Sequence, residues 1–309
     1  MRRSSLFFLI LFFLIPFFLL PNKIHASEGS IEVDPAYLEK ILDQPEQEES
    51  IVLTYKNHSK KNITLEIFAV DFKQQNERGG ISFLGKEAGS YSYSLSSFLS
   101  FESNHLDIEA KKEAKLRISI KNRLDLSPGG HYAAVVARFI NESKDENTIS
   151  PALSSLIFMR KVGGERFNLS IKDVDWPKNF LVFDFPSVFE ITFQNEGNTH
   201  LTPYGRGEII DISGKLLYKG IINTSSAIVM PESRRIIPIE FKLIEPHSPF
   251  LAGRLLIRGN DSIKKTNYIY EEGFIYVNPF LLTFIVLVPI VFIVVRKRHK
   301  NKKIKEKLC

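Results

Sequence analysis

The chain has 309 residues and a formal charge of +6, from 41 Lys and Arg against 35 Asp and Glu. The excess is terminal: Arg2, Arg3 and Lys23 stand near the start and eight cations face only Glu306 in 296–309, so the stretch between carries −4, which argues against a nucleic-acid-binding face. Cys309 is the lone cysteine, which excludes an intrachain disulfide, a cysteine-ligated zinc and a Cys-X-X-Cys redox centre, while an apolar content of 44% excludes wholesale disorder.

Residues 1–26 read as a secretory signal peptide. Two arginines precede the apolar run 6–20 (LFFLILFFLIPFFLL), and a small residue closes the segment, placing the cut between Ala26 and Ser27. The run is shorter than the roughly 20 residues a bilayer span needs, which favours cleavage over a retained anchor. No cysteine follows it, so it is not a lipoprotein signal.

From residue 27 the pattern is β. The segment 35–42 reads as a short helical turn and the acidic run 43–49 as a solvated loop. Strict alternation follows in 50–57 (SIVLTYKN), 62–72 (NITLEIFAVDF) and 113–122 (EAKLRISIKN), and an apolar run in 131–140 (HYAAVVARFI). In 113–122, Leu116, Ile118 and Ile120 point inward while Lys115, Arg117 and Lys121 point out. Asp71 reads as a strand-end residue. Turn residues separate the runs at 56–62, 78–80 and 127–130. The first domain is therefore 27–162, and 162–165 (VGGE) is the linker.

The second domain, 165–274, is built from about seven short strands: 167–171, 188–195, 207–212, 215–222, 235–242, 253–258 and 268–277, the last overlapping the start of the expected span. Turns every 8–12 residues match an immunoglobulin-like sandwich. Without paired cysteines, it must hold by packing. Trp176 reads as a packing residue of this domain. The expected fold class is all-β: two tandem immunoglobulin-like β-sandwiches, a signal peptide and one C-terminal transmembrane helix.

That helix is expected over 275–295. The run from Phe280 to Val295 is apolar, Pro289 sits within it, and 275–277 lengthen it to 21 residues, enough for a bilayer core of roughly 30 Å at 1.5 Å per residue. Phe274 and Tyr276 suit an interfacial aromatic belt. Arg296, Lys297 and Arg298 begin the basic tail 296–309, which stays cytoplasmic, so the body of the chain is extracellular and the protein a single-pass protein of the cell membrane.

Several of these segments resemble a known family. The strand ending at Asn57, the run ITLEIFAVDF over 63–72, the Gly79-Gly80 insertion and SPGGHYAAVV over 127–136 look like the first extracellular domain of the WxL-interacting surface proteins of bacteria. FQNEGNTHLTPYGRGEIIDISG over 193–214 is similar to a recurring pattern of bacterial surface β-sandwiches. The resemblance covers nearly the whole chain in order and size. It implies an anchored surface protein that binds other surface proteins or cell-wall polymer. Within the shared motifs, Gly129-Gly130 would permit a tight turn, Gly197 would supply positive φ, and Asn198 would tolerate it.

No catalytic pattern stands out. There is no GxSxG, HExxH, GxxxxGK[ST] or GxGxxG. The exported histidines are scattered, and Asp173 and Asp175 share a strand face without the further oxygen ligands that Ca²⁺ needs. The expectation is a non-enzymatic protein without cofactor or metal. Its best candidate for a binding surface is the alternation of aromatics and serines in 91–101 (YSYSLSSFLSF). Read as one straight strand, it puts Tyr91 and Tyr93 on one face and Phe98 on the other, with Phe101 at its end. The expected function is a membrane-anchored surface binding or scaffold protein that contacts other envelope proteins or cell-wall polymer; the alternative is a chaperone-like accessory subunit of a surface-fibre or secretion assembly that receives a partner strand at a sandwich edge.

Overall fold

The computed structural model describes residues 31–44, 46–85, 91–140, 152–177 and 181–306. The expected signal peptide with its Ala26–Ser27 cut lies outside them. The strands are β1 (Ile31–Asp34), β2 (Tyr37–Leu42), β3 (Glu48–Asn57), β4 (Ile63–Asn76), β5 (Gly79–Leu84), β6 (Leu99–Phe101), β7 (His105–Ile108), β8 (Glu113–Lys121), β9 (Gly129–Phe139) and β10 (Ala152–Lys161), which form the N-terminal sandwich. One sheet runs β1-β3-β8-β6; the other runs β2-β10-β9-β4-β5, with β7 also on β4.

The alternation predicted for β3 and β8 is present. Ile51, Leu53 and Tyr55 lie beside Leu116, Ile118 and Ile120 on the inner face of one sheet, in one buried cluster with Leu65, Ile67, Val135 and Ile157. The segment 35–42 is a strand and not a helical turn. Pro35 has no N–H to continue the ladder after β1, and the chain crosses to the other sheet, where β2 lies parallel to β10 from Leu156↔Tyr37 to Lys161↔Leu42. Pairing with β10 overrides the helix preference of Leu, Glu and Lys.

The C-terminal sandwich holds β11 (Leu169–Val174), β12 (Leu181–Val182), β13 (Val188–Asn195), β14 (Pro203–Asp211), β15 (Leu216–Ile222), β16 (Ser233–Leu243), β17 (Phe250–Asp261) and β18 (Asn267–Val277). All eight form one path, β11-β13-β16-β15-β14-β17-β18-β12, whose two halves meet through a three-residue ladder between β15 and β16. The core between the halves is aromatic. Trp176 is buried against Phe185, Phe189 and Phe274, with ring centroids 5.6–6.4 Å apart.

Two glycines have identifiable tasks. Gly129 has φ +122°, as the tight turn into β9 requires. Gly197 does not supply positive φ; it is needed because a Cβ there would lie 2.1 Å from the carbonyl oxygen of Arg166. The linker is a pinned turn: the nearly buried pair Arg160–Glu165 closes at 2.9 Å, and Glu165 accepts from the Gly163 N–H at 2.9 Å.

Residues 275–277 belong to β18 and not to the span. Phe274 and Tyr276 are core residues of the sandwich rather than a membrane belt, because β18 pairs with β17 as far as Val277. After Asn278, helix α1 (Pro279–Glu306) carries Phe280, Pro289, Val295, Arg296, Lys297 and Arg298. Its stretch Pro279–Lys297, 19 residues, is long and apolar enough to cross a membrane, and none of the described residues covers it.

Candidate functional site

The site begins at the seam between the sandwiches. Strand β9 reads GGHYAAVVARF and is buried on both faces. One face enters the N-terminal core; the other joins Phe72, Tyr132, Val136 and Phe158 to Met230 and Ile228 of the C-terminal sandwich. Small and branched residues suit a strand covered on both sides. The Tyr132 Oη accepts from the His200 N–H at 2.9 Å and lies 3.2 Å from His200 Nδ1, while His200 Nε2 lies 3.1 Å from Glu39 Oε1. That hydrogen bond to His200 holds the Glu39 carboxyl below its usual pKa range. Asn198 is bonded across the seam to Gly130, Pro128 and Gly164. At the far end Arg78 makes a bidentate pair with Glu190 at 2.6 and 2.9 Å.

The aromatic segment 91–101 is not a single strand. A turn leads into a 3-10 turn at Ser96–Phe98, and only Leu99–Phe101 is β. Asp71 sets this shape. It is fully buried within β4, not at its end, and its carboxylate accepts from Ser94 Oγ, Leu95 N, Ser96 N and Ser96 Oγ at 2.6–2.9 Å. The four aromatics are consequently divided. Tyr93 packs on the seam cluster with Tyr91 against it, ring centroids 5.6 Å apart. Burial pushes both phenols up, Tyr93 to about 12 with help from Glu232 of the other sandwich. Phe98 and Phe101 pack on the N-terminal core. Phe101 also borders a shallow cleft over the serine row Ser50, Ser119 and Ser100.

The open backbone edge lies beside the seam. β9 flanks β10 along its whole length, but β2 covers only Leu156–Lys161. The Leu156 N–H donates to the Ala36 carbonyl at 2.9 Å, so even-numbered residues of β10 direct their backbone groups to that side. Ala152 and Ser154 therefore direct N–H and C=O groups to the side where no strand is paired with them among the described residues. Leu153 turns towards the core, and Ser155 Oγ donates to the Pro35 carbonyl at 2.6 Å. Tyr37 flanks the gap, half exposed, its ring 4.9 Å from Phe158. Burial, then Glu39 and Tyr204, push its phenol up to about 12.

The sequence reading did not single out β10. Its ALSSLIFMRK shows no clean alternation because one face meets the core and the other the seam. Asp173 and Asp175 are exposed on and just beyond β11. Among the described residues no group of three or more His, Cys, Asp and Glu is placed to hold a metal.

No family model matches the chain, and no curated protein matches it. Several solved structures are similar in fold. The class 5 fimbriae chaperone CfaA has a TM-score of 0.42 at 10% identity, over 79% of this chain and 99% of that one. The E. coli chaperone DraB has a TM-score of 0.36 at 10% identity, over 80% and 95%. The Pseudomonas aeruginosa CupB2 chaperone has 0.34 at 10%, over 76% and 97%. The likeness lies in the tandem β-sandwich architecture alone.

Proposed function

We propose that this chain is a membrane-anchored, non-enzymatic accessory protein of an envelope or surface-fibre assembly. It acts like a chaperone, holding a partner protein by strand addition to its N-terminal sandwich. The observation that carries this reading is the open half of β10: N–H and C=O groups at Ala152 and Ser154, unpaired among the described residues, form a template for one further strand. The pinned seam supports it, because an edge held by two sandwiches costs little ordering when a partner docks. On this reading α1 crosses the cell membrane with Arg296, Lys297 and Arg298 on the cytoplasmic side and the sandwiches outside, as positive charge flanking a span directs. The resemblance to WxL-interacting surface proteins is part of the same proposal. Its support is the order of leader, two sandwiches, span and basic tail.

The test is photo-crosslinking of the full chain in its own membranes. A crosslinker at Ala152 is expected to capture one envelope protein through a β-strand, and the same group at the exposed turn residue Ile212 is expected to capture none. Equal capture at both positions would sink the reading. A second reading, binding of wall polymer, has one observation in its favour: Phe101 and three serines share a cleft, an aromatic and hydroxyl surface of the kind a glycan meets. Retention by purified wall that Phe101→Ala abolishes would favour it.

A further inference from the structure

The outer face of the C-terminal sandwich carries a cleft of about 800 Å³ across β15, β14, β17 and β18. It lies at the end of the sheet away from α1. β18 starts at Asn267 beside the cleft and ends at Val277, roughly 30 Å further on at ~3.4 Å per residue. One row of side chains crosses all four strands. Ile221 is paired with Arg206, Arg206 with Arg258, and Arg258 with Ile269, so the row reads apolar, cation, cation, apolar over roughly 14 Å.

The cations are fixed and only partly used. Buried Glu208 receives Arg206 Nε at 2.9 Å and Arg258 Nη2 at 2.7 Å. Each guanidinium has five N–H donors, and both remain close to half exposed. Lys219, the cross-strand neighbour of Glu208, has no ion-pair partner among the described residues. Three positive charges therefore face one carboxylate. Ile221 and Ile269 are 63% and 70% exposed, which is unusual for aliphatic residues in the middle of strands.

We propose that this cleft binds an extended acidic-apolar segment of a partner protein. Its carboxylates meet Arg206, Arg258 and Lys219, and its aliphatic side chains cover Ile221 and Ile269. A phosphate-bearing polymer would answer the cations but leave both isoleucines in water. The inference rests on the proposed function only in taking the partner to be a protein.

The full chain in detergent micelles is titrated with a fluorescein-labelled peptide, Ser-Gly-Val-Asp-Glu-Ile-Gly-Ser. Two controls replace Asp-Glu by Asn-Gln, or Val and Ile by Gly. Fluorescence anisotropy is expected to show the parent peptide binding about ten-fold tighter than either control. Lys219→Gln and Ile269→Ser are each expected to weaken it roughly three- to ten-fold with the melting temperature unchanged. These positions are chosen because removing either arginine would strand the buried Glu208. Equal binding of the Asn-Gln control, or displacement by poly(glycerol phosphate) with equal binding of the Gly control, overturns the proposal. Ser154→Pro leaves peptide binding intact if the cleft acts on its own, even where crosslinking at Ala152 fails.

Discussion

The two sandwiches solve the same packing problem differently. The N-terminal one has a mainly aliphatic core, built from Ile, Leu, Val and Ala with Tyr55 and Met159, and its first two strands lie in different sheets. The C-terminal one has a core rich in Phe, Tyr and Trp176, and its eight strands form one continuous path. Large rings bury much area per residue and favour tilted contacts, so they hold a sandwich from within. Small residues on β9 give less area on each face, but they leave a strand flat enough to be covered on both. The N-terminal sandwich thus depends on its neighbour, through Tyr132 and the seam, and among the described residues one of its edges stays open.

That contrast can be broken from the largest effect to the smallest. Trp176→Ala should cost about 3–5 kcal/mol, all of it in the C-terminal sandwich, because the ring leaves a cavity among Phe185, Phe189 and Phe274. Calorimetry should show a lowered transition. An unchanged one would mean that the aromatic core does not carry this sandwich. Tyr132→Phe should cost about 1–3 kcal/mol by leaving the buried His200 N–H without its acceptor. The sharper readout is cooperativity: one unfolding transition should separate into two if the seam couples the sandwiches.

The pH dependence of the seam follows from Glu39. Its folded pKa lies below the model-compound value of 4.5, so its contribution is fully present above that value and is lost as pH falls through the lower, folded pKa. Unfolding of the full chain followed below pH 4.5 should show this loss, and Glu39→Gln should remove that part of the acid sensitivity. The smallest effect on stability is expected from Ser154→Pro. Its N–H points away from β9, so the ladder survives and the cost should stay under about 1 kcal/mol. Strand capture at Ala152 should nevertheless disappear, since proline cannot donate to an added strand.

The strands with one wet face were legible. In β3, β8 and β13 the alternation of apolar and polar residues states which side meets the core, and the structure agrees. β10 and β2 were not legible. β10 is buried on both faces and so loses the period, and β2 is too short and too rich in helix formers to declare itself. The division of Tyr91, Tyr93, Phe98 and Phe101 was equally hidden, because it depends on Asp71, more than 20 residues away, gathering four donors from 94–96.

The sequence by itself determined the class of fold, the absence of disulfides and the presence of a long apolar helix followed by cations. Each follows from composition or from a period within one segment. The tertiary structure decided where β18 stops and the helix begins, which strand edge stays open, and that Ile221, Arg206, Arg258 and Ile269 form one row. Those features depend on register between strands far apart in the chain, and register is fixed by how whole faces pack, not by any one segment.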